Sequence, residues 1–421
     1  MKVLLVNTYD QGGAAKACIR LHKGLLRNGV ESSLLFLHRS ASEIIEHSYL
    51  YSPGEESLLN KIKKKIKLSP KREYHQKMKK QIRSLIPGKI EWFSFPDSGI
   101  DITDHPAYRH ADIINLHWVA DFLDYSFFKK NNKPVVWTMH DMNPFTGGCH
   151  YSGECKKYLN NCAHCPLLIE CDDDSYSGYV YKKKQKYLAS ATGLSIIAPS
   201  QWLMNVSKNS PLSGKFPHQC IPYGMDPSVF VCYEKNDARK QMNLPLDKKI
   251  VLFVAHSLHT KRKGYFILRE AIDMFKDENI LLCSVGVKGM QETNDRQVIE
   301  MGHISDENQM SLVYSAADVF VIPSIEDNLP NTVIESLLCG TPVIGFRIGG
   351  IPDMIQNGQN GYLADKINAQ SLYEAVNSYL SDINLFDRKK IRQNALLKYD
   401  LNVQANSYME LYKNCIYHQQ N

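Results

Sequence analysis

The sequence predicts an α/β protein made of two doubly wound (Rossmann-like) parallel-sheet domains that face each other across a cleft. Short, fully apolar runs alternate with helix-like stretches along the chain, which is typical of parallel strands covered by helices on both faces. The runs form two sets of about five, which is too many for one sheet around one core. A length of 421 residues also suits two or three domains.

The predicted strands follow from the apolar runs. In the first half of the chain the runs are residues 2–7, 32–37, 112–118, 134–140 and 194–200. In the second half they are residues 249–256, 279–286, 318–324 and 342–346.

The boundary between the two sets lies near residues 220–230, where two prolines and Gly224 interrupt the pattern. We therefore predict an N-terminal domain over residues 1–220 and a C-terminal domain over residues 221–400. Residues 401–421 have helical spacing and no strand after them, so we expect this helix to pack back on the N-terminal domain.

Residues 40–110 fit the strand–helix plan poorly and indicate an insertion that carries most of the positive charge. The net charge of the chain is +6, yet residues 61–83 alone hold eleven basic residues and one acid, Glu73. The rest of the chain is therefore slightly acidic, which argues against nucleic acid as a partner.

Apolar residues at helical spacing run through residues 58–86, with lysines between them and a break at Ser69 and Pro70. They are Leu58, Leu59, Ile62, Ile66, Met78, Ile82, Leu85 and Ile86. Two short amphipathic helices of this kind could lie on an anionic membrane face. A solvated insertion without lipid contact is the alternative.

The sequence lacks an apolar run of the roughly 18 residues that a membrane-spanning helix needs. The first residues, MKVLLVN, are too short for the apolar part of a signal peptide. We therefore expect a cytoplasmic protein, with peripheral binding to the inner face of the cell membrane if the insertion contacts lipid.

The most informative motif runs from Pro323 to Gly350, where a strand is followed by a polar loop and a helix. We expect Asn331 to cap this helix and Gly340 to end it. A helix N-terminus suits a diphosphate. Glu335 in the first turn could accept both hydroxyls of a ribose, and Asp327 could hold a sugar hydroxyl. Alternatively, both acids only favour the helix dipole.

The string D-N-L-P-N-T-V-I-E over residues 327–335 resembles the retaining glycosyltransferases of family 4, of the bacterial cell-surface polysaccharide type, which have a GT-B fold. That family carries two acids separated by seven residues, and Asp327 and Glu335 match this spacing, with Asp where Glu is usual. The resemblance implies that Asp327 contacts the donor sugar and Glu335 the nucleotide ribose. It also places amides around Asn328, Leu329 and Asn331 near sugar and phosphate.

Two segments of the first domain resemble the same family. Gly12 and Gly13 follow the first predicted strand, as the family's glycine-rich loop does, and allow a close approach of the backbone to a ligand. Residues 138–141, T-M-H-D, resemble the segment that carries a histidine at a strand end. The resemblance makes His140 a candidate for binding the donor sugar near the reacting centre.

The donor diphosphate requires cations, which the family supplies after the first strand of its second domain. Here His256 stands at the usual arginine position, and the resemblance assigns Lys263 as the phosphate lysine. Arg262 is our candidate for the missing arginine. His303 falls where the family binds the nucleotide base.

The resemblance implies a hexosyltransferase-type enzyme that moves a sugar from a UDP-, GDP- or ADP-sugar to a glycan or lipid-linked acceptor with retention of configuration. It makes residues 1–220 the acceptor-side domain and residues 221–400 the nucleotide-sugar-binding domain. His140, Asp327 and Lys263 are the implied catalytic residues, and no metal cofactor is expected for catalysis. The alternative is a non-catalytic nucleotide-sugar or glycan-binding partner in a polysaccharide assembly complex, which the unusual Asp327 and the missing arginine leave open.

Five of the eleven cysteines lie within residues 149–171. The spacing C-x5-C-x6-C-x2-C offers four thiolates for a structural zinc ion, at Cys149, Cys155, Cys162 and Cys165. His150, His164 and Cys171 are further potential ligands. Buried free thiols, or disulfides in an oxidising setting, are the alternatives.

Overall fold

The computed structural model describes residues 1–40, 44–52, 70–86, 91–257, 260–287 and 298–420. The chain divides into two compact units. The first comprises Met1–Pro199, Leu203–Ile221 and Asn406–Asn421, and the second comprises Ser200–Trp202 and Pro222–Ala405.

The first unit is built on a parallel sheet with the strand order β3-β2-β1-β4-β5-β6-β7. The strands are β1 (Lys2–Tyr9), β2 (Glu31–His38), β3 (Ser48–Leu50), β4 (Ile113–Leu116), β5 (Val135–Thr138), β6 (Leu194–Ala198) and β7 (His218–Cys220). Val3 pairs with Ile113, so the central strands β1 and β4 lie side by side with their carboxyl ends at one edge.

The second unit contains a parallel sheet with the order β10-β9-β8-β11-β12-β13. Its strands are β8 (Lys249–Ser257), β9 (Ile280–Val287), β10 (Val298–Gly302), β11 (Val319–Ile322), β12 (Val343–Phe346) and β13 (Gly361–Ala364). The prediction of two parallel-sheet α/β domains is confirmed. The strands that the apolar runs missed, β3, β7, β10 and β13, are the edge strands of the two sheets. Because edge strands are partly exposed, their sequences are less uniformly apolar.

Helices connect the strands. In the first unit they are α1 (Gly13–Arg27), α2 (Pro70–Ser84), α3 (Pro106–His110), α4 (Phe127–Lys130) and α5 (Tyr176–Leu188), followed by α6 (Gln201–Asn209). The helices after residue 222 are α7 (Lys235–Gln241), α8 (Tyr265–Asp273), α9 (Glu307–Ala316), α10 (Asn331–Leu338), α11 (Ala369–Ser381), α12 (Arg388–Tyr399) and α13 (Leu401–Gln420).

The later part of α13 completes the core of the first unit. Tyr408 and Tyr412 are fully buried in the same cluster as the apolar side chains of β1, β2 and α1. Asn115 donates a hydrogen bond from Nδ2 to the Tyr412 hydroxyl at 2.6 Å, and the Tyr408 hydroxyl lies 2.9 Å from Oγ1 of Thr138. These polar contacts satisfy groups that burial would otherwise leave without partners.

The apolar face of helix α2 packs against the cysteine-rich loop and is not exposed. Met78 and Ile82 are fully buried in a cluster with Phe93 and Leu168. The prediction that these residues face lipid is therefore wrong for this helix, because the protein itself covers its apolar side. Leu58, Leu59, Ile62 and Ile66, from the other half of the predicted pair, lie outside the described residues.

Polar contacts also hold α2 in place. Lys77 Nζ lies 2.5 Å from Oδ2 of Asp172, and the Tyr74 hydroxyl donates to Asp173. The ring of His75 stacks on that of Tyr179, with 4.1 Å between centroids. Among the described residues, no helix is long and apolar enough to cross a membrane.

Candidate functional site

Two cations from the loop after β8 and one buried carboxylate from the loop after β11 form a cluster in the second unit. Lys263 Nζ lies 2.7 Å from Oδ2 of Asp327, and Arg262 Nη1 lies 3.5 Å from the same oxygen. Arg262 also donates to the backbone oxygen of Glu326 at 2.8 Å. The structure thus brings together three residues that the sequence predicted to share one site.

The carboxylate of Asp327 is stabilised in its charged form. Burial by itself raises the pKa of Asp327, but the positive charges of Lys263 and Arg262 outweigh it, and the pKa is lowered overall. Ser324 adds a hydrogen bond to Oδ2 at 3.2 Å. Asp327 is therefore an anion at neutral pH.

Close backbone contacts fix the two loops that carry this cluster. Gly264 has a φ of +70°, and a Cβ atom there would lie 1.9 Å from the backbone oxygen of Pro323. Gly349 has a φ of +53°, and a Cβ atom there would lie 1.9 Å from the backbone oxygen of Asp327. Only glycine combines this conformation with such an approach.

The loop after β11 leads into α10, whose N-terminus differs from the prediction. Pro330 precedes the helix as its N-cap without a side-chain hydrogen bond, and Asn331 is the first helical residue. The prediction that Asn331 caps the helix is therefore wrong, because the extended backbone of Pro330 occupies the capping position. Gly340 follows the C-terminal cap with a φ of +73°, as expected of a helix stop.

The neighbouring loop residues are also buried. Asn328 accepts a hydrogen bond at Oδ1 from Ser200 at 2.5 Å, and Leu329 packs inward. Glu335 is the fifth residue of α10, so the prediction that it lies in the first turn is wrong, because the helix already begins at Asn331. Its side chain is buried and accepts a hydrogen bond at Oε2 from the Tyr314 hydroxyl at 3.0 Å. This bond orients the carboxylate that the resemblance assigns to a ribose.

His303 and His256 lie next to each other and are exposed. Their ring centroids are 6.0 Å apart in an edge-to-face arrangement. His256, at the usual arginine position, therefore contacts the histidine that the resemblance assigned to the nucleotide base.

In the first unit, the predicted residues lie at the carboxyl edge of the sheet. Gly12 is the N-cap of α1 with a φ of +94°, and Gly13 is the first residue of that helix. His140 follows β5, which pairs with β4, and β4 pairs with β1. The glycine loop and His140 thus belong to strands that are near neighbours.

His140 is buried and pairs with a second histidine that the sequence did not single out. Its Nε2 lies 3.0 Å from Nδ1 of His117, and both side chains line the same small cavity. Burial lowers the pKa of His140 to about 4, so the ring is neutral at pH 7. His117 Nε2 is buried and, within the described part of the chain, has no hydrogen-bond partner.

A buried chain of polar groups lies beside this pair. Asp141 Oδ2 is 2.6 Å from Nδ1 of His150, and His150 Nε2 is 2.9 Å from Oγ of Ser94. Trp118 donates from Nε1 to the same Asp141 oxygen at 2.7 Å. Burial raises the pKa of Asp141, but His150 and these hydrogen bonds outweigh it and lower the pKa overall.

The eleven cysteines are free thiols, and four of them face a common space. Cys149, Cys155, Cys162 and Cys165 line one small cavity in the first unit. Burial raises the pKa of the Cys162 thiol to about 11. Among the described residues, no group of three His, Cys, Asp or Glu side chains already has the arrangement of a metal site.

Residues 234–397 match the family model described as "Glycosyl transferases group 1". The second unit carries a group 1 glycosyl transferase domain. Together with the relatives below, this match confirms the resemblance to GT-B glycosyltransferases of the family 4 type.

Two bacterial relatives align over parts of the chain. The glycosyltransferase TuaC of Bacillus subtilis, whose provisional name assigns it to teichuronic acid biosynthesis, is 30% identical over 58% of this chain and 64% of its own length. The N,N'-diacetylbacillosaminyl-diphospho-undecaprenol alpha-1,3-N-acetylgalactosaminyltransferase of Campylobacter jejuni is 31% identical over 41% of this chain and 47% of its own length. The chain thus spans between about half and two thirds of the length of these relatives.

Solved structures share the fold of the whole chain. Sucrose-phosphate synthase of Thermosynechococcus elongatus superposes with a TM-score of 0.69 at 19% identity, covering 98% of both chains. Anabaena HepE in complex with UDP-glucose gives a TM-score of 0.66 at 14% identity, covering 98% of this chain and all of the other. At these identities the likeness establishes the GT-B fold.

The group 1 domain contains one part of the predicted site. Arg262, Lys263, His303, Asp327 and Glu335 lie within the matched residues, whereas Gly12, Gly13, His140 and the cysteine-rich loop lie outside them. Tyr314 and Ser324 of the group 1 domain were not predicted from the sequence, because a single hydroxyl in a helix or at a strand end has no recognisable sequence pattern. His117 could have been found, since it follows a predicted strand directly.

Proposed function

We propose that the chain is a hexosyltransferase-type enzyme that moves a sugar from a nucleotide-sugar donor to a glycan or lipid-linked hydroxyl, with retention of configuration and without a catalytic metal. The observation that carries this proposal is the cluster of Lys263, Arg262 and Asp327 within the group 1 domain. Its chemistry fits a diphosphate leaving group beside a sugar.

The cluster has more positive than negative charge. Two cations share the one carboxylate of Asp327, so the phosphates of the donor would meet two fixed positive charges. The N-terminus of α10 lies at the end of the same loop and adds the positive end of a helix dipole. Fixed cations and amides of this kind stabilise the nucleoside diphosphate as it departs, which is the role that a metal ion plays in other sites.

The carboxylates have separate roles in this proposal. Asp327, held by Lys263, accepts a hydrogen bond from a hydroxyl of the donor sugar. Lys263 then shifts toward the phosphate. Glu335, oriented by Tyr314, accepts hydrogen bonds from the vicinal hydroxyls of the ribose. A carboxylate has enough lone pairs to accept from Tyr314 and from a diol together.

The histidine pair is the proposed sugar-binding element of the first unit. His140 is neutral at pH 7, so it acts as a hydrogen-bond partner and not as a cation. The buried Nε2 of His117 requires a partner, and a sugar hydroxyl in the same cavity would supply one. The acceptor hydroxyl then attacks the face that the diphosphate leaves, and the departing phosphate takes its proton.

Names of the matched proteins support the substrate classes. HepE was crystallised with UDP-glucose, and the Campylobacter jejuni relative is named for a lipid-diphosphate-linked acceptor. A UDP-sugar donor and a lipid-linked acceptor at the inner face of the cell membrane are therefore the first combination to test.

Exposed basic residues of α2, such as Arg72 and Lys80, could attract an anionic membrane at about 1 kcal/mol each. In liposome flotation, we expect binding that requires anionic lipid and that weakens in the Arg72→Glu/Lys80→Glu variant. Lys366→Glu, which changes an exposed lysine of the second unit, is the matched control. Binding that does not respond to anionic lipid would remove this part of the proposal.

The test of the transferase proposal is a panel of UDP-, GDP- and ADP-sugars, scored by thermal shift and then by donor hydrolysis. We expect one nucleotide class to raise Tm and to be hydrolysed by the wild type, and Glu335→Ala to lose both effects. Glu374→Ala, an exposed acid on α11, is the control. Binding without turnover in wild type would favour a non-catalytic nucleotide-sugar partner of a polysaccharide assembly complex, and no binding at all would overturn the site.

A further inference from the structure

The cavity lined by Cys149, Cys155, Cys162 and Cys165 gathers thiols from one short stretch of the chain. Between Cys149 and Cys171, the regular structure of this loop consists of two short 3-10 turns, Lys157–Leu159 and Pro166–Leu168. Such a loop needs a further source of stability to hold one conformation, because ordering its backbone costs conformational entropy.

Hydrogen-bond donors point at two of the sulfur atoms. The backbone N–H of Gly147 donates to Sγ of Cys162 at 3.1 Å, and the backbone N–H of Leu167 donates to Cys165. A neutral thiol is a weak acceptor, whereas a thiolate is a strong one. The positions of these amides therefore suit sulfur atoms that carry negative charge.

A buried cation lies beside the same cavity. Lys184 of α5 is completely buried, and its ammonium donates to the backbone oxygen of Asn143. The negative charges that act on this ammonium are those of Cys149 and Cys162 and, after them, of Asp141 and Asp121. Four metal-bound thiolates would add to the charge of these carboxylates, since a divalent ion with four thiolates is a dianion.

The other candidate ligands of this loop are already used. His150 bonds through both ring nitrogens, to Asp141 and Ser94, and His164 is exposed and bonds Asp174. Cys171 packs with the cluster beneath α2 and does not line the cavity. The structure thus selects four cysteines from the seven possible ligands of the sequence.

We propose that Cys149, Cys155, Cys162 and Cys165 bind one structural Zn²⁺ as a tetrathiolate, with Lys184 as its buried counter-cation. The four thiols lose their protons on binding, and their sulfur atoms move inward from the cavity wall, because no three of the described side chains yet stand at metal-site spacing. The ion fixes the loop on which α2 packs through Leu168.

The first experiment measures metal content and coordination in the full chain. Protein produced in zinc-supplemented medium and purified under reducing conditions should contain about one zinc per chain. Replacement of zinc by Co²⁺ should give the thiolate-to-cobalt absorption and the visible bands of a tetrahedral site. Cys155→Ser and Cys162→Ser should lose metal, whereas Cys283→Ser, a buried cysteine of β9, should keep it.

Three results would overturn the site. They are a zinc content near zero in folded wild type, a cobalt spectrum without thiolate absorption, and an intact mass that shows disulfides among the four cysteines of reduced preparations. The cobalt spectrum of the wild type decides the question even if the serine variants do not fold.

The second experiment tests the counter-cation. Lys184→Met should weaken zinc retention against a chelator by about 10- to 100-fold, as other changes around metal ligands do. Lys186→Met, two positions along the same helix and exposed, should retain zinc as the wild type does. Equal retention by both variants would contradict the role of Lys184.

Discussion

The ammonium of Lys263 lies 2.7 Å from Oδ2 of Asp327 and joins two loops that are 64 positions apart in the chain. Arg262 approaches the same oxygen, so the carboxylate holds both cations in place. Under the proposed function, a diphosphate that enters the site would compete with Asp327 for Lys263. The ion pair would then be a preformed phosphate site in which a protein carboxylate occupies the place of the ligand.

Replacing Lys263 tests this relationship. Lys263→Met should abolish the thermal shift caused by the nucleotide diphosphate and lower the free energy of unfolding by about 2 kcal/mol, because Asp327 loses its shortest charged hydrogen bond. Lys261→Met, in the same turn and exposed, should change neither. A Lys263→Met variant that binds the nucleotide as the wild type does would contradict the assignment.

The buried His140 should make the protein less stable as the pH falls from about 6.5 to 4. Its pKa is lowered from 6.5 to about 4 in the folded state, so the unfolded chain binds a proton that the folded one does not in this range. Stability from this group is thus full above pH 6.5 and falls by about 3 kcal/mol toward pH 4.

Urea unfolding between pH 4 and 7 measures this effect. We expect a shallower dependence of the free energy of unfolding on pH in His140→Gln than in wild type. The exposed His418→Gln provides the control and should follow the wild type. Parallel curves for all three proteins would show that His140 titrates normally.

Gly264 and Gly302 form a matched pair for testing the contact between the two loops. Both have left-handed backbone, with φ of +70° and +71°, but a Cβ at Gly302 meets no atom within 4 Å, whereas one at Gly264 meets Pro323. Gly302→Ala should cost about 1 kcal/mol from backbone strain alone. Gly264→Ala should cost more and should also displace Lys263, which weakens nucleotide binding. Thermal unfolding and nucleotide titration distinguish the two, and equal losses would mean that the Pro323 contact is unimportant.

The hydroxyl of Tyr412 should contribute measurably to the first unit. Tyr412→Phe leaves Nδ2 of the buried Asn115 without its 2.6 Å acceptor, so we expect a loss of about 1–2 kcal/mol. Tyr417→Phe removes an exposed hydroxyl from the same helix and should be neutral. An unchanged unfolding transition in Tyr412→Phe would mean that the hydroxyl of Tyr412 does not contribute to the core of the first unit.

The central strands and the two acids could be predicted because their signals are local. A buried parallel strand is apolar throughout, and Asp327 and Glu335 lie within one loop and one helix turn. The partners of these acids could not be predicted in the same way. Tyr314 reaches Glu335 from another helix, and the pairing of His117 with His140 depends on the order of β4 and β5 in the sheet.

The helix α2 shows why periodicity alone does not identify a partner. Met78 and Ile82 have the spacing of an apolar helix face, and that spacing is the same whether the face meets lipid or protein. The decision depends on Leu168 and Phe93, which lie in other parts of the chain. For the same reason, the number of cysteines suggested a metal site, but only the structure points to Lys184.

The return of α13 to the first unit has a consequence for how the protein matures. Asn115 and Tyr412 are 297 positions apart, so the core of the first unit stays incomplete while the ribosome makes the whole second unit. Contacts over such separations form late and slowly. We expect nascent chains that end near residue 405 to be protease-sensitive in the first unit and resistant in the second. The second unit would thus complete its fold before the first.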